Sequence, residues 1–236
     1  MDIYQRLCAS LQKKVSTGLI GIIVLSLILM FFFCFWADKP VSQLIRSLTY
    51  SYVAFLVKIG NFIGDGWVLF LFLLFFYLLT FLLKFEKKSK VFKASLYSSI
   101  VAGIVSQVLK LIIKRCRPVI LNDPLAFSYF LDVSVKNKIH GDVLNSMPSG
   151  HTMVIFAACV PLVLSTKNKF LKALLIFIPF ITAFARLYTY AHWPSDIIIA
   201  ILLGILIGYI FTEKIKNKPE NIHAAVAAQR RIKIFM

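Results

Sequence analysis

The stretch WVLFLFLLFFYLLTFLLKF, residues 67–85, carries no charge before Lys84. A helix needs about 20 apolar residues to cross the hydrocarbon layer of a bilayer. This run meets that length, and it has company at residues 15–36, 91–113, 151–164, 170–188 and 194–211. Hydrophobic residues make up 59% of the 236 and charged residues 16%, against about 45–50% and about 25% in soluble domains. The expected fold is therefore all-α, a six-transmembrane-helix bundle occupying residues 15–213. A basic amphipathic lead (1–14) precedes it and a basic tail (214–236) follows. The first run exceeds a signal-peptide core of about 7–15 residues, so it reads as a retained span. The mixed stretch 37–66 reads as an interfacial helix ending near residues 60–66.

A net charge of +17 raises nucleic acid as a partner. Its distribution argues for membrane topology instead. The lead, the connections 84–93 and 166–172, and the tail hold three, five, three and six of the 27 Lys and Arg, 17 together. That richer side is expected to be cytoplasmic, which puts both termini inside and the connections after the third and fifth spans outside. Cys8, Cys34, Cys116 and Cys159 show neither CxxC nor Cys/His ligand spacing, so no disulfide framework and no zinc site is expected.

The third span is unlike the second. Ser95, Ser98, Ser99, Ser106, Gln107 and Lys110 are costly in hydrocarbon unless they face the bundle interior. It leads into the first of three polar stretches expected at the outward face, KLIIKRCRP, where Lys110 and Arg117 stand seven residues apart. Two helical turns would place them on one helix face, with Pro118 ending the helix. The second stretch, PSGH (148–151), opens the fourth span. A helix N-terminus offers unpaired N–H groups and a positive dipole end to an anion. Ser149 caps or donates there, Gly150 permits close backbone approach, and His151 can move a proton near neutral pH. The third stretch, ARLYTYAHWPSD, holds Arg186, His192 and Asp196. A carboxylate one turn from an imidazole can fix its tautomer and raise the nucleophilicity of the other nitrogen.

Each stretch has an ordinary reading: basic residues snorkel at span ends, PSGH caps a helix, and Asp196 caps the last span. Together they assemble the parts of phosphoryl transfer, namely cations around an anion, a nucleophile and an acid for the leaving oxygen. No carboxylate cluster is at hand for Mg²⁺ or Ca²⁺, so a metal-free mechanism without cofactor is expected.

In order and spacing, KxxxxxxRP (110–118), PSGH (148–151) and RxxxxxHxxxD (186–196) resemble the three-part signature of the type 2 phosphatidic acid phosphatase superfamily. That superfamily includes lipid phosphatases and is related to vanadium haloperoxidases. The resemblance implies that His192 is the nucleophile, oriented by Asp196, and that His151 protonates the leaving group and then activates water. It implies that Lys110, Arg117, Arg186, Ser149 and the Gly150 N–H hold the phosphoryl oxygens. The family usually has Ser before the third-motif Arg; Ala185 stands there in this chain and removes one hydroxyl contact.

Small bacterial six-span members resemble lipid A phosphatases, undecaprenyl diphosphate phosphatases and phosphatidylglycerophosphate phosphatases. Lipid A, losing its 1-phosphate at the periplasmic face of the inner membrane, is the preferred substrate. Lys114, Arg115, Lys136 and Lys138 are expected to meet its polyanionic headgroup, while His140 is expected to be a solvated loop residue and Asp142 has no assigned role. Nucleic acid and an obligatory protein partner are not expected. A membrane carrier is the rival from another class, but it would call for repeat symmetry and charges near the midplane.

Overall fold

The computed structural model describes residues 18, 20–48, 51–131 and 141–216. Helix α1 (Ile20–Phe32) runs through a π-helical turn (Phe33–Ala37) into α2 (Asp38–Arg46). Then follow α3 (Ser51–Gly64), α4 (Gly66–Leu82), α5 (Glu86–Ile113), α6 (Gly150–Ser165), α7 (Lys169–Tyr188) and α8 (Pro194–Lys216). No β-strand occurs among the described residues; one isolated antiparallel bridge pairs Arg115 with Phe127. Helices α5, α7 and α8 are each long and apolar enough to cross a membrane. Helices α3 and α4 meet the same test as a pair bent by 59°, and α1 and α6 are apolar but shorter. Among the described residues the regular structure is all helical, and the chain is a membrane protein. The lead (1–14) lies outside the described residues, as does the tail beyond residue 216.

The stretch 37–66 departs from the interfacial helix expected of it. It forms α2 and α3, and α3 lies against α7 through the glycines of GNFIG. A β-carbon on Gly60 would stand 2.7 Å from the Ile181 carbonyl oxygen, and one on Gly64 would overlap the Thr182 side chain. The Thr182 hydroxyl donates to the Gly60 carbonyl at 3.0 Å. A stretch mixed in composition is thus a packed member of the bundle. Asp65 separates α3 from α4 and caps the latter, its carboxylate accepting from the N–H groups of Trp67 and Val68.

Helix α6 sits at the centre, against α5 and α8. In lipid, helices gain little from hydrophobic burial against one another, so close packing and small residues hold them. Gly204 and Gly208 supply that contact. A β-carbon on either would come within 2.6 Å of a carbonyl oxygen of α6, that of Met153 or that of Ala157. Across the other seam the Ser98 hydroxyl donates to the Ala157 carbonyl at 2.8 Å. The polar residues of α5 follow one face: Ser95, Ser98, Ser99, Ser106 and Lys110 are buried. Gln107, expected inside with them, is exposed, because one residue turns a helix by about 100° away from the Ser106 face.

Helix α5 ends at Ile113, five residues before Pro118. Lys114 takes a left-handed conformation (φ 50°) at its C-terminus, and residues 115–117 lie outside the helix. Lys110 and Arg117 therefore do not share a helix face, contrary to the two-turn expectation. Their proximity comes from a chain reversal pinned by Cys116 N–H to the Ala126 carbonyl (2.8 Å) and Arg117 N–H to the Val143 carbonyl (3.0 Å). The C-terminal ends of α5 and α7 and the N-terminal ends of α6 and α8 thus meet at one end of the bundle.

Candidate active site

Helix α6 starts at the Pro148–Ser149–Gly150 corner. Its first internal bond runs from Met153 N–H to the Ser149 carbonyl, which leaves the N–H groups of residues 150–152 without intrahelical acceptors. Ser149 occupies the N-cap position but its hydroxyl pairs with that of Thr152 at 3.0 Å. A β-carbon on Gly150 would stand 3.3 Å from both Lys110 Nζ and the Ser106 hydroxyl. The missing side chain is therefore what brings the Lys110 ammonium against the helix start.

Two guanidinium groups complete the cationic end. Arg186, in the last turn of α7, donates from Nη1 to Asn61 Oδ1 of α3 at 3.1 Å. The Nε atoms of Arg186 and Arg117 are buried without any hydrogen-bond partner. An unsatisfied guanidinium N–H is costly unless a ligand accepts from it. The charges of Arg186, Lys110 and Arg117 all bear on His151, and Asp65 of the α3–α4 break adds an opposing charge. Such a convergence is a receptacle for an anion.

His192 lies in the turn between α7 and α8, 1% exposed. Its Nδ1–H donates to the Ser146 carbonyl oxygen at 2.6 Å, which leaves Nε2 with its lone pair. Burial holds its pKa down at about 4; Asp196 opposes the shift, and Arg186 and Lys110 add to it. The ring is neutral at physiological pH, the state a nucleophile needs. Asp196 Oδ2 is 3.8 Å from Nδ1, beyond hydrogen-bond reach. The carboxylate accepts instead from the Ser146 hydroxyl (2.5 Å), the Trp193 N–H (2.9 Å) and Arg115 Nη1 (2.5 Å). Asp196 thus caps α8 and holds the hydroxyl of Ser146, the residue whose carbonyl accepts from the His192 ring.

Arg115 is the main departure from the sequence reading. Expected at a lipid headgroup, it is fully buried and spends all five donors internally. They go to Asp38, Asp196, the Ser195 hydroxyl and, twice, the Pro124 carbonyl. Of the other headgroup candidates Lys114 is exposed; Lys136, Lys138, His140 and the Asp142 side chain lie outside the described residues. Ala185 is buried in a small cluster with Val53 and Val57. A β-carbon on Gly60 would be 2.9 Å from its own, so it is held against α3. Sequence reading also missed Asp38, Ser146, Ser195 and Asn61. Asp38 alone left a trace, as the one acidic residue between Asp2 and Asp65.

An apolar crevice of about 560 Å³ opens between α1, α6, α7 and α8, lined by Phe156, Cys159, Val163, Pro179, Phe180 and Ile205 among others. It contains none of these polar groups and offers nothing to hold a phosphate.

The sequence profile of the PAP2 superfamily matches residues 91–220, more than half of the chain and every residue assembled above except those of α2, of α3 and of the α3–α4 break. The chain belongs to the PAP2 superfamily. Within it, the chain is 27% identical over 128 residues to an undecaprenyl-diphosphatase of Sulfolobus acidocaldarius. The match covers 54% of this chain and 57% of that protein, so the chain spans little more than half the length of this curated relative. Among solved structures, the fold resembles a transmembrane PAP2-type phosphatidylglycerolphosphate phosphatase from Bacillus subtilis, with a TM-score of 0.65 and 19% identity over 85% of this chain and 97% of that one. It also resembles Aquifex aeolicus LpxE, with a TM-score of 0.51 and 23% identity over 75% and 94%. At such identities the likeness establishes the PAP2 fold.

Proposed function

We propose that this PAP2 protein is a metal-independent phosphatase that removes phosphate from a lipid headgroup through a phosphohistidine. The observation that carries the reading is the pair of buried, unpartnered arginine Nε–H groups of Arg117 and Arg186, set with Lys110 around the open start of α6 and beside a neutral His192. In the first step His192 Nε2 attacks phosphorus and the bond to the lipid oxygen breaks, that oxygen taking a proton from His151. In the second, His151 takes a proton from water, whose oxygen displaces Nε2; phosphate leaves and His192 is neutral again. Lys110, Arg117, Arg186, Ser149 and the Gly150 N–H stabilise the charge gathering on the phosphoryl oxygens, the main source of catalysis in such transfers. Asp196 supports the imidazolium-like state through Ser146.

The bundle crosses the membrane six times in this reading, with α3–α4 as one broken span and α1 and α6 as the shorter ones. The termini lie in the cytoplasm and the site faces the periplasm of a bacterial inner membrane, where a substrate keeps its tails in the bilayer. Lipid A 1-phosphate is the substrate that the sequence favours. With Arg115 buried, one of the four cations expected at its headgroup is not there to meet it. The undecaprenyl-diphosphatase likeness supports a polyprenyl diphosphate as the alternative, and the fold likeness to a phosphatidylglycerolphosphate phosphatase adds a third candidate.

Purified protein assayed for phosphate release against these three lipids in detergent with EDTA tests the reading. The expected result is release from at least one, competed by vanadate and abolished in His192→Ala. Failure on every lipid phosphate, or activity lost on chelation and restored by Mg²⁺, would overturn it.

A further inference from the structure

Arg115 stands at an unspecified position inside the first motif, yet it is the most completely bonded side chain at this end of the bundle. Asp38 comes from α2 and Asp196 from α8, and the guanidinium bridges them with contacts of 2.5 Å to each. Ser195 closes the ring. Its N–H and hydroxyl donate to Asp38 at 2.8 and 2.7 Å, and its hydroxyl accepts from Arg115 Nη1 at 2.6 Å. Phe127 and Trp193 lie on the guanidinium, each ring centre 5.6 Å from Cζ. All three charged groups are excluded from solvent.

We propose that Arg115, clamped by Asp38, is a positioning residue of the reaction: it balances two buried carboxylates so that Asp196 stays ionised and holds Ser146, and through Ser146 the Nδ1–H form of His192. This rests on the phosphatase reading for its catalytic meaning, but its physical content concerns His192 alone. Without the guanidinium, two carboxylates would share one dry site, and like charges there force one to take up a proton. A protonated Asp196 loses an acceptor for Ser146 or Trp193, and the segment that orients His192 loosens. The titratable groups facing Arg115 are Asp38 from α2, Asp196 from α8 and Cys34 from the π-helical turn, whose sulfur is 3.6 Å from the Ser195 hydroxyl; His192 stands beyond Asp196. A buried ion triad is seldom the most stable filling of its space, which fits a role in the reaction better than one in holding the fold.

The test compares wild type, Arg115→Met, Asp38→Asn and the double variant, all as the full chain in detergent. Outer partners of active-site groups are worth about 10- to 100-fold in activity, so Arg115→Met is expected to lose kcat in that range with KM little changed. Its residual activity should rise with pH as the shared proton leaves. The double variant decides the matter. Removing Asp38 in the Arg115→Met background relieves the competition, so it should recover activity several-fold and flatten the pH profile. A bridge serving only to hold α2 in place would show as lowered melting temperatures in the single variants, relieved in the double one, with kcat per folded protein and its pH profile unchanged throughout, and that result would overturn the proposal. Nitrogen-15 spectra of the His192 ring, assigned by comparison with His192→Gln, supply the readout that needs no turnover. Wild type should show the Nδ1–H form and Arg115→Met a tautomer mixture or a raised titration point; an unchanged ring in Arg115→Met overturns the proposal even if kcat falls. A wild type that releases phosphate from no lipid would overturn the phosphatase reading, while the ring spectra would still decide the role of Arg115.

Discussion

Ser146→Ala isolates one link between the carboxylate and the imidazole. Ser146 uses two groups at once: its hydroxyl donates to Asp196 at 2.5 Å, and its carbonyl accepts from His192 Nδ1 at 2.6 Å. Alanine keeps the carbonyl and removes the tether that aims it. A hydrogen bond to a charged group is worth about 1.5–3 kcal/mol, and at 1.36 kcal/mol per decade this is a ceiling of roughly 10- to 150-fold on rate. Ser146 touches none of the groups assigned to phosphate, so the loss should fall on kcat, with KM and vanadate competition near wild type. If the bond serves stability alone, the same energy appears as a lower unfolding temperature and kcat is preserved. Steady-state phosphate release and a thermal melt on one preparation separate the two. A variant within about twofold of wild-type kcat would refute the indirect route from Asp196 to His192, because a loosened carbonyl would then have no effect on the ring.

Three further outcomes follow from the geometry. His192 is held at about pKa 4 in the fold against about 6.5 in an unfolded chain, so between those values the unfolded state binds the proton and stability falls as pH drops. Wild type should therefore lose melting temperature from pH 6.5 to 4 more steeply than His192→Gln; parallel curves would show the ring is not held neutral. Gly150→Ala places a methyl 3.3 Å from Lys110 Nζ, the mobile end of a flexible chain, so it should fold normally but bind vanadate more weakly, as inhibition constants would report. Gly204→Ala meets the Met153 carbonyl at 2.6 Å, a rigid backbone atom, and overpacking of this kind costs about 1–3 kcal/mol; an unshifted melt in detergent would contradict the flush α6–α8 seam.

The motif residues were legible in the sequence because each is a polar group set into an apolar run, where its presence is expensive. Lys110, His151, Arg186 and Asp196 stood out on that ground alone, and the structure brings the ends that bear them together. Arg115 was misread because it looked like its neighbour Arg117. Adjacent basic residues beside a span end look alike, and only the left-handed turn at Lys114 sends one inward and leaves the other beside the cationic cluster. Asp38 and Ser195 were hidden by distance, 157 residues apart in sequence, a separation that no local pattern spans. The packing of α3 was hidden by composition. The glycines of GNFIG look like a turn until a partner helix fills the space they leave.

The ring around Arg115 also bears on how the protein is made. Asp38 leaves the ribosome early, whereas Arg115 follows by 77 residues and Ser195 by 157. Until they arrive the Asp38 carboxylate has no cation to bury against, and water must continue to solvate it. The acid of segment 38–46 therefore gains its cation only once the end of α5 has been made, and its remaining hydrogen bonds wait for Ser195 at the start of α8. Closure of this end is then stepwise, the ion pair first and the hydrogen-bonded ring later. A chain arrested before residue 115 would leave the Asp38 carboxylate without its guanidinium partner.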